Sequence, residues 1–310
     1  MQTFNKTGFR PGEFIAEKAI ALIAFTSIVV IFLILIFVFR ESLPLIIGQA
    51  VDDNGTVSIK ALLSLRWVPV SNHPHYGLWP LFLGSFKVTL VAIAIAFPLS
   101  VLAALYTATL APPKLKEIMK PVIEILAGFP SVVIGFFALM VLASLLQHTL
   151  GLTYRLNAFT GGVALSLAVL PIIYTVVEET LNSLPRSMTD ASLALGATQW
   201  ETSLFVLLPA AARGVFAALL LGLGRAFGET MIVLMATGNS ALATWSVFDS
   251  VRTMSAAIGA EMAEVVFGDA HYNVLFFIGV CLFIFSFSLN AIAEFFLRQR
   301  VMKRFGGGSA

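Results

Sequence analysis

Long apolar runs separated by short polar breaks organise this chain from end to end. Residues 1–15 are polar and basic on balance, and an apolar run from Ile15 to Phe39 follows. A helix needs roughly 20 such residues to cross a bilayer, and five further runs meet that length. They cover about 78–110, 121–147, 160–182, 214–236 and 274–297. The pattern predicts an all-α polytopic membrane protein: one transmembrane domain over 1–310, six helices, and no internal repeat. The first run stands where a signal peptide would. It is longer than a signal's apolar region and no small-residue cleavage site follows, so a retained helix is expected. Residues 40–77 are polar and carry the turn signal Asp52-Asp53-Asn54-Gly55. Pro112-Pro113 with Lys114, Lys116, Glu117 and Lys120 end the second run, and a mixed loop fills 237–272. The tail Gly306-Gly307-Gly308-Ser309-Ala310 reads as an appended linker.

The polar stretch 186–209, RSMTDASLALGATQWETSLFVLLP, has the marks of two short helices. Ser187 is placed to cap the first, with Asp190 in its first turn. Gly196 is placed to end it, because glycine enters the left-handed region without a Cβ clash. Thr198 and Glu201 have capping-box spacing for the second helix, and Pro209 should end it. The small residues Ala191, Ser192 and Ala194 beside Leu193 and Leu195 would form a compact knob suited to a groove on another protein. An ordinary interfacial hairpin satisfies the same signals.

Composition and charge sharpen the class. The chain is 58% hydrophobic and 12% charged, against about 25% charged in soluble domains, and its mean hydropathy is +0.93. The net charge of +2 forms no basic patch of the kind that binds nucleic acid. The one cysteine, Cys281, excludes an intrachain disulfide framework and sits in an apolar run as a packing residue. Twelve of the 19 Lys and Arg fall on the N-terminal tail (counting Lys18 at the start of the first run), the 111–120 loop, the 184–213 hairpin and the C-terminal tail. The positive-inside bias therefore predicts that both termini and the hairpin are cytoplasmic. No G-x-x-x-x-G-K-[ST] loop is present, so ATP binding is not expected of this chain, and no nucleophile–base pair suggests an enzyme. His73-Pro74-His75 lacks acidic or cysteine companions, and with His148 and His271 it reads as loop histidine rather than a metal site.

Two charges inside the membrane need a reason, since a mid-bilayer charge costs roughly 2.5–3.5 kcal/mol even on the lenient insertion scale. Arg225 and Glu229 are four residues apart on the expected fifth helix, beside Gly222, Gly224 and Gly228. They fit an internal ion pair, although Arg before Glu is the weaker order for a helical pair. They also fit an oxyanion contact, with the guanidinium fork on the anion and Glu229 holding it in place. Lys87 is expected to snorkel to the outer interface. Glu124, Glu178 and Glu179 are expected near helix ends, facing an interface or a loop.

Motif spacing supplies a resemblance. Asp190-Ala191-Ser192, Gly196, Val206 and Leu208-Pro209 are similar to the coupling motif of ABC-importer permeases, Glu-Ala-Ala, then Gly, then an aliphatic residue before Leu-Pro. Asp190 replaces the Glu and Ser192 the second Ala. Residues 222–239, GLGRAFGETMIVLMATGN, resemble the fifth-helix signature GLGRALGETMAV of the PstC-type permease of phosphate-specific ABC importers. Ala127–Gly135, AGFPSVVIG, is similar to that family's third-helix segment, where Pro130 would bend the helix. The resemblance implies a type I ABC-importer permease fold in a bacterial-type inner membrane. The implied partners are a homologous second permease, two ATP-binding cassette subunits that bind the ATP, and an extracytoplasmic phosphate-binding protein. It further implies that Asp190, Ala191, Ser192, Gly196 and Pro209 couple to the ATPase, and that Arg225 and Glu229 meet phosphate on the path. Another oxyanion such as sulfate or molybdate, or a self-contained secondary transporter, remains an alternative.

Overall fold

The computed structural model describes residues 11–52 and 55–305, with side chains from 16 to 296. The glycine-rich tail lies outside the described residues. Eleven helices carry the architecture. In order they are α1 (Pro11–Ile46), α2 (Trp79–Leu110), α3 (Pro113–Gly128), α4 (Ser131–Leu150) and α5 (Ala158–Asn182). There follow α6 (Arg186–Ala194), α7 (Gln199–Ala210), α8 (Ala212–Gly228), α9 (Met231–Ala236), α10 (Met254–Glu261) and α11 (Ala270–Phe305). Two short antiparallel hairpins, β1–β2 (Val51–Asp52 with Gly55–Thr56) and β3–β4 (Trp67–Val68 with His75–Tyr76), fill the segment between α1 and α2.

Five helices are long and apolar enough to cross a membrane, and a sixth crossing counts the bent pair α7–α8, whose axes differ by 70°. Helix α1 is the clearest lipid-facing element, exposed on all sides from Ala16 to Leu33. Such a surface is stable only where hydrocarbon replaces water. The core sits instead between α2 and α5, with α8 and α9 packed on them through Val88, Leu165, Val169, Ile173, Ala218 and Ile232. Small residues set the close approach: a Cβ on Gly162 would fall 2.5 Å from Cβ of Val91.

Two spans differ from the sequence expectation. The third does not run unbroken over 121–147, because Pro130 provides no N–H and its predecessor Phe129 is extended. Residues 113–128 form a separate helix, α3, with no buried residue, and the crossing begins at Ser131. The fifth span does not run unbroken over 214–236, because α8 stops at Gly228. At 17 residues it is roughly 25 Å long, short of a hydrocarbon core of about 30 Å. The flanking segments therefore complete the crossing.

The polar end of the bundle has its own apolar cluster, in which Leu45, Trp67, Tyr76, Leu81, Leu275 and Ile278 are buried together. A charged knot ties it down. Glu261 accepts from Trp67 Nε1 at 3.2 Å and from Arg252, and its second oxygen meets His271 Nε2 at 2.9 Å. His271 is thus a buried structural residue at the start of α11 rather than a loop histidine. Glu178 is also buried and accepts from Asn182 Nδ2 at 2.7 Å, whereas Glu124 and Glu179 are exposed.

Candidate functional site

The interruption after α8 shapes the first part of the site. Glu229 is extended (φ −68°, ψ 131°), so it stands at the end of the helix rather than one turn further along it. Its Oε1 accepts from the backbone N–H groups of Thr230 and Met231, each at 3.2 Å, which satisfies the first turn of α9. Ser255 Oγ donates to the Glu229 carbonyl at 2.6 Å, and Ser85 Oγ accepts from Met254 N–H at 2.9 Å. The break is therefore braced by α10 and α2. Arg225, on the last turn of α8, is exposed, and among the described residues no ion pair joins it to Glu229. Both line a cavity of about 330 Å³ with Ile172, Leu221, Gly224, Gly228 and Asn290. Chemically this is a guanidinium with its donors unused beside a carboxylate whose second oxygen is open.

The glycines of the motif divide by role. Gly222 is packed on α5, where a Cβ would fall 2.7 Å from Ile173 Cδ1. Gly224 lies against Asn290 of α11, and Gly228 meets nothing within 4 Å of a notional Cβ. That leaves the cavity side of the break uncovered by this chain.

Beyond α9 the chain turns at Gly238 and Asn239, both at positive φ, and returns through residues 240–253. Lys87 holds this return. It is 3% exposed, and its Nζ donates to the carbonyls of Thr244 at 2.8 Å and Ser246 at 2.9 Å and to Thr244 Oγ1 at 3.5 Å. The expectation that Lys87 snorkels outward fails, because two backbone carbonyls and one hydroxyl, brought in from 157 and 159 residues away, take up its three protons. Phe159 N–H to the Val247 carbonyl at 2.8 Å and Ala158 N–H to that of Asp249 at 3.1 Å pin the same segment to α5.

The second part of the site is the α6–α7 hairpin. Gly196 has φ +89°, and the Ala197 N–H closes on the Ser192 carbonyl at 3.3 Å. Thr198 and Glu201 form the expected capping box. Ser187 does not cap α6: the helix starts at Arg186, two residues earlier than a Ser187 cap would place it, with Pro185 at its N-terminus and no side-chain cap. Pro209 lies within the last turn of α7, which ends at Ala210, where the chain bends into α8. Asp190 and Ala191 are exposed, and Leu195 at the tip is 90% exposed. Ser192 is turned inward, 2.9 Å from Thr202 Oγ1. A π-helical turn over Thr202–Leu207 meets another at the end of α2, Tyr106–Leu110, through Ser203 Oγ donating to Thr109 Oγ1 at 2.8 Å. Such turns recur at functional sites, and this one fastens the hairpin to a membrane helix. A cavity of about 400 Å³ lies at the joint, lined by Lys116, Arg186, Asp190 and Gln199 among others.

With this geometry in place, comparison with known proteins is decisive. Residues 96–301 match the family described as binding-protein-dependent transport system inner membrane component. The chain belongs to that family. Relatives of the permease include a probable ABC transporter permease, YqgH, of Bacillus subtilis, 36% identical over 80% of each chain. The phosphate transport system permease PstC of Mesorhizobium japonicum is 30% identical over 79% of this chain and 80% of its own. PstC 2 of Mycobacterium tuberculosis is 30% identical over 92% and 91%. The PstC-type resemblance read from the fifth-span signature therefore stands. Among solved structures, a bacterial ABC transporter that imports alginate aligns with a TM-score of 0.59 at 12% identity, over 94% of this permease and 99% of that chain. The inward-facing methionine transporter MetNI aligns at 0.50 and 20% identity, over 71% and 94%. Both likenesses concern the fold, that of ABC-importer permeases.

Three contributors to the permease's site escape a reading of the sequence: Ser255, Asn290 and the Lys87 clamp. Serine and asparagine in an apolar run leave no periodic signal, and a clamp on backbone carbonyls leaves none at all. The hairpin, by contrast, makes a direct prediction. Gly196→Val forces a β-branched residue into the left-handed region, at a cost of about 2 kcal/mol or more. It should reduce the ATPase subunit that copurifies with the complex, while Gly196→Asn, which tolerates that conformation, should retain it.

Proposed function

We propose that this chain is one half of the membrane path of an ATP-driven importer of inorganic phosphate. The observation that carries the reading is the Arg225–Glu229 pair at the helix break. The guanidinium opens into a cavity and has no partner among the described residues, in a chain 30% identical to PstC permeases over most of its length. A fork of planar donors suits the oxygens of a tetrahedral anion, and the adjacent carboxylate keeps the empty cavity near neutral. In this reading a homologous second permease covers the open side at Gly228. Two ATPase subunits, which bind the ATP, receive the tip around Asp190, Ala191 and Leu195, and an extracytoplasmic binding protein delivers phosphate. Pro209 sets the bend between hairpin and α8, so movement of the tip is passed both to α8 and, through Ser203 and Thr109, to α2. Both termini and the hairpin then lie on the cytoplasmic side of the inner membrane, where the Lys and Arg excess places them.

Transport of another oxyanion by the same machine is the second reading, left open by the Bacillus relative, a probable ABC transporter permease named without a substrate. The test is uptake of labelled phosphate and labelled sulfate by the complete complex in proteoliposomes, with and without ATP. ATP-dependent uptake of phosphate in excess of sulfate is expected. Sulfate uptake without phosphate uptake would transfer the reading to the second anion. Uptake by this chain without ATPase subunits would replace it with a secondary transporter.

A further inference from the structure

Asn290 is a polar exception in the apolar middle of α11, and it faces the cavity that holds Arg225 and Glu229. Its side chain lies across Gly224: a Cβ there would come 3.1 Å from Asn290 Oδ1. Among the described residues neither the Asn290 amide nor the Arg225 guanidinium has a hydrogen-bond partner. Glu229 uses only Oε1, on the N–H groups of Thr230 and Met231, so Oε2 is left open. Helix α8, the break after it and α11 thus bring three kinds of hydrogen-bonding capacity to one space. Arg225 only donates, ionised Glu229 only accepts, and Asn290 does both.

That inventory sorts tetrahedral oxyanions by whether they keep a hydrogen. Sulfate carries only acceptors at neutral pH. It suits Arg225 and Asn290 Nδ2, but it sets lone pairs against Glu229 Oε2 and Asn290 Oδ1. Phosphate and arsenate keep at least one O–H and can donate it to either acceptor. Arg225 and Asn290 are exposed in this chain, so the sorting applies once the second permease covers this face: a closed site built to bond a substrate hydroxyl rejects the analogue that lacks it, because its own polar groups are then left unpaired. We infer that Arg225, Glu229 and Asn290 form a hydrogen-bond-sorting site for a protonated oxyanion, with Asn290 as a specificity-determining residue. The inference rests on the phosphate-importer reading and adds a selectivity filter in the permease itself. The competing role for Asn290 is polar packing between α8 and α11 across Gly224. Packing alone predicts a change in stability without a change in selectivity.

The experiment is equilibrium binding of labelled phosphate to the complex of both permeases and the ATPase subunits in nanodiscs, without the binding protein. Arsenate and sulfate serve as competitors, and phosphate uptake is measured alongside. The native complex should bind phosphate and arsenate similarly and sulfate at least ~10-fold more weakly. Asn290→Leu, of similar size and without hydrogen bonds, should narrow the preference for phosphate over sulfate several-fold at unchanged membrane abundance, with Glu229 Oε2 left as the remaining acceptor that opposes sulfate. Asn290→Gln should narrow it less. Three results would each overturn the inference while phosphate uptake proceeds: sulfate competing as well as arsenate in the native complex, an unchanged preference in Asn290→Leu, or no phosphate retained at millimolar concentration. Absence of phosphate uptake by the native complex would strike the importer reading instead.

Discussion

Arg225→Gln is expected to lower phosphate uptake by about 10- to 100-fold, the equivalent of one charge-assisted hydrogen bond of roughly 1.5–3 kcal/mol. Membrane abundance should not change, because Arg225 is exposed and joined to no described residue by an ion pair. Arg225→Lys should recover uptake in part, since an ammonium supplies the charge without the planar fork. The structural alternative makes a different forecast. If the arginine serves only to neutralise Glu229, then Arg225→Gln/Glu229→Gln should transport better than Arg225→Gln alone. On the path reading the double variant should be no better, because the anion has lost its donor and its acceptor together. Uptake rates at matched abundance for the three variants decide between the two.

The geometry favours the path reading for a reason that lies outside the motif itself. On an unbroken helix the two side chains would be one turn apart and within reach of each other. The break at Glu229 removes that relation. Gly228 is a weak local sign of it, for GRAFGETMIV holds no proline and a lone glycine is often tolerated in a helix. The interruption is imposed from elsewhere, by Ser255 on the Glu229 carbonyl and by the Glu229 side chain on the next two N–H groups. Local chemistry was legible wherever it was sufficient. Gly196 and the Thr198–Glu201 box follow from a residue's own φ or hydroxyl and are found where the sequence places them, while Pro130, read as a bend, breaks the helix outright. Hydropathy places the second and fourth spans closely, Trp79–Leu110 and Ala158–Asn182, but not the third and fifth, which are cut by breaks it does not show. What stayed hidden depends on tertiary partners: the π-helical joint at Thr109 and Ser203, the burial of Glu178 and His271, and the place of Asn290.

Lys87 is the largest such case, and it carries the second large expected effect. Lys87→Met keeps the length and apolar stem of the side chain but removes all three donors. The Thr244 carbonyl, on a half-buried residue, and the Ser246 carbonyl, on an exposed one, would lose the ammonium with water replacing part of it, at about 1–3 kcal/mol in all. The return segment 240–253 would then be held by the Phe159 and Ala158 N–H groups and by Arg252 Nε on the Asn239 carbonyl. A fall in the thermal midpoint of the detergent-solubilised complex of roughly 5 °C or more is expected, with lower membrane abundance and uptake reduced in proportion. Lys87→Arg should not restore it, because a planar guanidinium cannot replace a compact ammonium among acceptors grouped around a single nitrogen. The informative result is the relation between stability and transport. A clamp lowers both together, since the cavity at Arg225 depends on α9 and the return segment that follows it. An unchanged midpoint with lost uptake would mean that the ammonium acts on the anion rather than on the backbone, and the charge at Lys87 would then belong to the path.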